Sequence, residues 1–307
     1  MNNILNISFI SFWQGFNIYD NIFTNLLSLK YNINIEEKPS NSTDLVICSC
    51  FYQPGDKSII KNLRCTKLYY SGENDFPDFN LYDYAITQNR IQFEDRHLYC
   101  PFWFFNSLKI KDNKLVNDID INGSNDSKLL NRDFCSYVVS NNFCAIPQRT
   151  KIFEELSKYK KVNSGGRYLN NIGKPVDDKK EFLANHKFTI AAENSIVNGY
   201  ITEKIVDAFN ANTVPIYVGP KDVEIEFNKN AFININNFST YNDLVEYVKK
   251  VDNDNELYMQ YLSSKKLNDN VLEDMQNDFE IFLVKVAKDK KKFNHLYGRI
   301  GLILRQY

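Results

Sequence analysis

The sequence lacks a charge excess of either sign: 37 Lys and Arg stand against 38 Asp and Glu, a formal net charge of −1. No global field draws such a chain to nucleic acid or to an anionic membrane, so any polyanion site must be local. It also lacks a CxxC pair. The six cysteines, Cys48, Cys50, Cys65, Cys100, Cys135 and Cys144, read as reduced core residues. No uninterrupted apolar run reaches about 18 residues, the length a membrane-spanning helix needs. Residues 1–12 lack the basic region and small-residue cleavage site of a signal peptide. A reducing compartment, cytoplasmic or at a membrane periphery, is the expected location. His97, His186 and His295 are isolated, and no His/Cys/carboxylate cluster stands at metal spacing. Asp118-Ile119-Asp120 fits a DXD pattern but lies in a polar stretch, and two carboxylates alone seldom make a dedicated cation site. Neither G-x-G-x-x-G nor G-x-x-x-x-G-K-[ST] occurs, which leaves an NAD site and a P-loop without support.

What is present is a globular composition: 307 residues, 43% hydrophobic, 24% charged and 14% aromatic. That length suggests about two domains. Residues 4–12 form an apolar run of strand length, and 17–31 carry Ile18, Ile22, Phe23, Leu26 and Leu27 at helical spacing. Further buried strands are expected at 44–51 and 66–70, with 82–87 and 97–105 as weaker candidates. The segment 109–133 shifts to Asn, Asp, Lys, Ser and Gly, as a linker does, and divides the chain into domains at 1–126 and 127–307. The rhythm then resumes: strand 134–140, helix 146–158, a short strand to 163, helix 178–185, strand 186–192, helix 200–210 and strand 214–218. Both halves therefore read as α/β with a mostly parallel sheet, and a ligand cleft between the two is the expectation. The last stretch, 271–305, mixes apolar residues with Lys285, Lys288, Lys290, Lys291 and Lys292. It suits a closing helix with a solvated basic face, or one lying on a membrane surface.

Residues 188–220, FTIAAENSIVNGYITEKIVDAFNANTVPIYVGP, are the most informative. An apolar strand delivers Glu193 and Asn194 to its carboxyl end, a loop containing Gly199 follows, and Tyr200-Ile201-Thr202-Glu203-Lys204 opens a helix. A helix start offers unpaired N–H groups and a positive dipole end, and Lys204 adds a charge, so the edge suits a phosphate. Glu203 is a good acceptor for a vicinal diol such as a ribose. The same residues equally suit a capped helix, with Thr202 and Glu203 as cap and Lys204 as a solvated charge.

The run ENSIVNGYITEKIVDAF followed by TVPIYVGP resembles the signature of the α1,3-fucosyltransferases of glycosyltransferase family 10. YYSGEND at 69–75, FNLYDYAI at 79–86 and FCSYVVSNN ahead of Arg149 are similar to further pieces of that family, in order, so the resemblance covers about 65–250. It implies the GT-B architecture, two Rossmann-like domains facing across a cleft, with GDP-fucose as donor and no cofactor or metal required. By the same resemblance Asn194, Tyr200, Lys204 and Arg149 would contact the donor diphosphate and ribose. Glu203 would meet the ribose or the fucose ring, with a catalytic part, and Glu73 would be the general base. A carboxylate there is ionised at neutral pH and can take the proton of an attacking hydroxyl. The implied reaction is an inverting transfer of fucose to a glycan hydroxyl, α1,3 to an N-acetylglucosamine-type sugar. Two alternatives stay open: a GT-B transferase with another nucleotide sugar or acceptor, and a non-catalytic glycan- or nucleotide-binding protein of the same fold. Trp13, Gln14, Phe51, Tyr52 and Trp103 suit stacking or hydrogen bonding to an acceptor sugar, and suit packing equally.

Overall fold

The computed structural model describes residues 4–117, 119–143 and 145–289. They fall into two compact units, 1–118 with 272–307 and 119–271.

The first unit begins with β1 (Ile4–Ile10), α1 (Ile22–Ser28), β2 (Asn32–Glu36), β3 (Leu45–Cys48), α2 (Asp56–Asn62), β4 (Thr66–Ser71), β5 (Tyr84–Thr87), β6 (His97–Tyr99) and α3 (Phe102–Phe105). The strands form one parallel sheet in the order β2-β1-β3-β4-β5-β6. β3 and β4 are buried along their whole length, which is why they read as apolar runs without alternation. α1 is shorter than its apolar spacing suggests. Asn21, in an extended conformation, caps it by accepting the Thr24 N–H at 3.0 Å, and this fixes the start at Ile22. The segment 97–105 is not one strand, because Pro101 ends the extended stretch and opens α3.

The polar segment 109–133 begins as a hairpin rather than a linker: β7 (Leu108–Lys111) pairs antiparallel with β8 (Lys114–Asn117). Asp112 and Asn113 both adopt positive φ, 51° and 58°, the conformation a two-residue type I′ turn requires and one that Asp and Asn tolerate. The division between units falls inside this segment, at 118/119.

The second unit holds β9 (Asp133–Tyr137), α4 (Gln148–Ser157), β10 (Val162–Ser164), α5 (Lys179–Ala184), β11 (His186–Ala192), α6 (Glu203–Asn210), β12 (Val214–Val218), β13 (Ile233–Asn234), α7 (Tyr241–Asn253) and α8 (Asn255–Ser263). Its sheet is again parallel, in the order β10-β9-β11-β12-β13. A core of Phe134, Tyr137, Ile152, Leu156, Phe188 and Val248 packs between sheet and helices.

The last helix, α9 (Val271–Lys288), belongs from residue 272 onward to the first unit, which corrects the assignment of this closing helix to the second domain. The reason is its apolar face. Phe279, Phe282, Leu283 and Val286 are buried, with Phe279 against Phe23 and Phe282 edge-on to Tyr84. An ion pair of Lys285 with Asp95 at 2.7 Å and the Gln276 amide donating to the Leu115 carbonyl at 3.1 Å flank that contact. Lys290, Lys291, Lys292 and His295 lie outside the described residues. No helix among the described residues is long and apolar enough to cross a membrane. Cys48, Cys50, Cys65 and Cys135 are free thiols, Cys100 is buried, and Cys144 lies outside the described residues.

Gly166 fixes how the loop after β10 lies against the segment leaving β9. A Cβ there would stand 1.9 Å from the Val139 carbonyl oxygen, a backbone atom that cannot swing away. Replacing Gly166 with Ala is expected to destabilise the second unit by about 2 kcal/mol or more, read as a lower urea midpoint. An unchanged midpoint would show that the two segments can part at no cost.

Candidate functional site

In the second sheet the strand order reverses between β9 and β11, so the connections after those strands leave in opposite directions and open a crevice at their carboxyl ends. The loop after β9 leads to Arg149 in the first turn of α4, and the loop after β11 begins with Glu193 and Asn194. The two loops are joined across this point. The Ile146 N–H donates to the Asn194 carbonyl at 3.1 Å, and Arg149 Nη1 donates to Asn194 Oδ1 at 2.5 Å and to the Asn141 carbonyl at 3.2 Å. Arg149 is 4% exposed, and its Nε is buried without a hydrogen-bond partner. No carboxylate among the described residues forms an ion pair with it. A buried guanidinium with one nitrogen tied back and Nε unmet is poised to donate to an acceptor from outside the protein, since leaving it unmet is costly.

The start of α6 is built differently from the sequence expectation. The helix begins at Glu203, so Tyr200 and Ile201 belong to the turn before it, and the buried Tyr200 donates its N–H to the Val197 carbonyl at 2.9 Å. Thr202 holds the N-cap position, yet its side chain makes no cap bond. Its hydroxyl donates to Glu193 Oε2 at 2.7 Å, and its N–H donates to Glu193 Oε1 at 2.8 Å. Lys204 is not a solvated charge. Its Nζ lies 3.1 Å from Glu193 Oε2, 2.6 Å from the Thr202 hydroxyl and 3.7 Å from Glu203 Oε1. Burial works to lower the Lys204 ammonium, but Glu193 and then Glu203 hold it above its ordinary value against the opposing charge of Arg149. Burial works to raise the Glu203 carboxyl, while Lys204 and, further off, Lys179 hold it below the usual carboxylate range. The cluster thus contains two basic and two carboxylate side chains, and among the described residues Arg149 is the basic one left without an ion-pair partner.

The structure therefore brings Arg149, Asn194, Glu203 and Lys204 to one edge of one sheet and places Tyr200 in the turn beside them. Sequence reasoning set Glu193 at that edge but gave it no part. The signal was a carboxylate closing an otherwise apolar strand, a residue type that must find a partner when buried.

In the first sheet the order reverses between β1 and β3. There the loops are pinned by the Phe51 N–H donating to the Ser11 carbonyl at 2.9 Å, with Ser11 at φ 61°. Trp13 and Phe51 stand out from these loops, 42% and 39% exposed, their rings 6.1 Å apart at 75°; Phe12 and Phe16 stack at 4.0 Å beside them. Trp103 is buried, and Lys57 Nζ lies over the Tyr52 ring, 4.6 Å from its centre, so neither offers an open ring face as Trp13 does. Glu73 follows the carboxyl end of β4 after Gly72 and is exposed. Its N–H donates to the Ser71 hydroxyl at 3.1 Å. Burial raises the Cys50 thiol above its ordinary value against the Ser71 and Ser49 hydroxyls, and the charges of Asp75 and Glu73 add to the rise.

Among the described residues no group of three or more His, Cys, Asp and Glu is gathered as a metal would need. Asp118 lies outside the described residues, and Asp120 accepts from the backbone and side chain of Asn122 in a turn. His97 bonds the Thr87 hydroxyl, and His186 lies between Asn163 and the Phe182 carbonyl.

Residues 130–294 match the family described as glycosyltransferase family 10 (fucosyltransferase), C-terminal part, and residues 7–106 match the α-(1,3)-fucosyltransferase FucT N-terminal domain. The α-(1,3)-fucosyltransferase FucT of Helicobacter pylori is 31% identical over 79% of this chain and 55% of its own length. A human 4-galactosyl-N-acetylglucosaminide 3-α-L-fucosyltransferase is 34% identical over 38% of this chain and 33% of its own. The chain thus spans about half or less of the length of these curated relatives. A crystal structure of an α1,3-fucosyltransferase with GDP-fucose is similar with a TM-score of 0.77 and 26% identity, covering 96% of this chain and 93% of that one.

Thr202 links the Glu193 carboxylate to Lys204 through a single hydroxyl. Thr202→Val is expected to cost about 2 kcal/mol, because a buried charged acceptor loses a donor, while Thr202→Ser retains most of the stability. Equal urea midpoints for the two variants would remove the hydroxyl from any role in holding this edge together.

Proposed function

Because the chain belongs to glycosyltransferase family 10, the fucosyltransferases, and has the GT-B fold, we propose that it transfers fucose from GDP-fucose to a hydroxyl of an acceptor glycan. The observation that carries this reading is the buried Arg149 with its unpartnered Nε, tied to Asn194 at the strand-order reversal and followed at the start of α6 by Lys204 and Glu203. A diphosphate supplies the oxygens that Arg149 lacks, and a planar guanidinium can take two of them at once. Lys204 adds a point charge to the same group, Asn194 and Tyr200 line its approach, and Glu203 accepts from sugar hydroxyls.

The reaction is a single displacement. The acceptor oxygen attacks the anomeric carbon of fucose, the bond from that carbon to the phosphate oxygen breaks, and GDP leaves with the electron pair. The hydroxyl proton passes to Glu73, the exposed carboxylate beyond β4. One base suffices, and the anomeric configuration inverts. Charge developing on the departing diphosphate is met by Arg149 and Lys204, and Glu203 stabilises the oxocarbenium-like sugar. No metal or other cofactor is invoked, since two cations already meet the leaving group. The acceptor sugar, of N-acetylglucosamine type with an α1,3 linkage, rests its apolar face on Trp13 and Phe51, whose exposed rings stand at the corresponding reversal of the first sheet.

Incubation with GDP-fucose and N-acetyllactosamine is expected to release GDP and yield a fucosylated product, with activity retained in excess EDTA. Binding without turnover on any lactosamine-type acceptor would favour a non-catalytic protein instead. Glu73→Gln is expected to leave GDP affinity unchanged and to cut turnover by about a hundredfold or more. Arg149→Lys is expected to weaken GDP by about tenfold, since the fork geometry is lost while the charge is kept. If Glu73→Gln abolishes GDP binding, or Arg149→Lys binds as tightly as the parent, those two roles have been given to the wrong residues.

A further inference from the structure

Glu193 is 0% exposed and closes β11, where its N–H still donates to the Val218 carbonyl of β12 at 2.8 Å. Its carboxylate turns back toward α6 and accepts three bonds: the Thr202 N–H, the Thr202 hydroxyl and Lys204 Nζ. A fully buried carboxylate is expensive and is kept only where its charge is matched. Were the task only to close the turn before α6, a neutral amide would accept the Thr202 bonds without the desolvation cost of a charge. A carboxylate rather than an amide is explained by Lys204, an ammonium 3.1 Å away whose side chain is 17% exposed and which burial alone would drive toward its neutral form.

We propose that Glu193 is the positioning residue of the phosphate-binding edge: its carboxylate fixes the direction of Lys204 Nζ and keeps it charged for the ligand, without touching the ligand itself. This rests on the reading of Lys204 as a diphosphate contact. Three charged groups face Lys204: Glu193 at the end of β11, Glu203 beside it on α6, and Arg149 from α4, which repels it. Tyr217 on β12 feels Glu193, but burial raises its phenol so far that it stays neutral. Lys179 acts on Glu203 and is itself paired with Asp207 at 2.5 Å. With Glu193 neutral, Lys204 would keep the Thr202 hydroxyl and, as its one carboxylate, the more distant Glu203, against burial and Arg149. Lys204 would then hold its proton less tightly, and its charge would be lost at a lower pH than in the parent.

The test is calorimetric titration of the full chain with GDP between pH 7 and 8.5, for the parent, Glu193→Gln, Glu193→Asp, Lys204→Met and the Glu193→Gln/Lys204→Met double variant. Parent affinity should stay within about twofold across the range. Glu193→Gln should bind about tenfold more weakly at pH 7 and lose about a further threefold by pH 8.5, a slope that a merely structural defect would not give. Glu193→Asp, which keeps the charge on a shorter arm, should bind about threefold or more weakly with no such slope. Once Lys204 is Met, Glu193→Gln should change GDP affinity no further. A Glu193→Gln profile that overlays the parent, or losses from Glu193→Gln and Lys204→Met that simply add, overturns the proposal. If Glu193→Gln does not fold, Glu193→Asp decides alone, and parent-like affinity in that variant overturns it. Failure of the parent to bind GDP, or full affinity in Lys204→Met, would instead refute the phosphate reading on which the proposal stands.

Discussion

Parallel pairing brings every strand of a sheet to an end at the same edge, and this constraint organises each unit of the chain. Where neighbouring strands send their connections in opposite directions, the edge opens, and polar groups can stand there without interrupting the apolar strands behind them. In the second sheet that place is between β9 and β11, and the contact of Arg149 with Asn194 bridges it. In the first sheet it is between β1 and β3, where Trp13 and Phe51 stand exposed on loops pinned by one backbone bond. The two edges therefore differ in chemistry although they share a topology: one is ionic and hydrogen-bonded, the other aromatic.

The ionic edge is nearly neutral in sum. Arg149 and Lys204 are matched in number by Glu193 and Glu203, yet the pairing is uneven, because both carboxylates lie on the Lys204 side and Arg149 is held by a neutral amide and a carbonyl. An anion arriving at this edge would meet one cation without an ion-pair partner and another held in place by its own counter-charge. A set of fixed charges of this kind needs little rearrangement when charge develops on a leaving group.

Much of this was legible in the sequence. β11 and β12 were read residue for residue as 186–192 and 214–218, because strands buried on both faces carry no polar interruption and end at polar or Gly-Pro punctuation. β2 and α2 went unread: β2 is a half-exposed edge strand of sequence NINIE, and α2 has one buried residue, Ile60. β2 does alternate, but through only two apolar residues, Ile33 and Ile35, and α2 has no apolar stripe at helical spacing. The β7–β8 hairpin reads as linker in the sequence because Asp112-Asn113 is a turn signal and its flanks, LKIK and KLVN, carry three lysines in eight residues. At the site, the residue types and their order were visible, but not the partners. Nothing in the spacing of Glu193 and Lys204 says that the carboxylate folds back nine residues to the N–H of Thr202 and draws the helix start one turn later than its sequence suggests.

The closing helix carries a consequence for how the chain acquires its structure. The second unit is one continuous stretch, 119–271, whereas the first is assembled from 4–117 and a helix that follows 271. During synthesis the later stretch is therefore complete while the earlier sheet still lacks α9, and Phe23 and Tyr84 wait without the rings that cover them. The usual order, in which the domain emerging first is finished first, is reversed here, and the leading half is the one with a reason to need a chaperone until the ribosome has delivered the last turns.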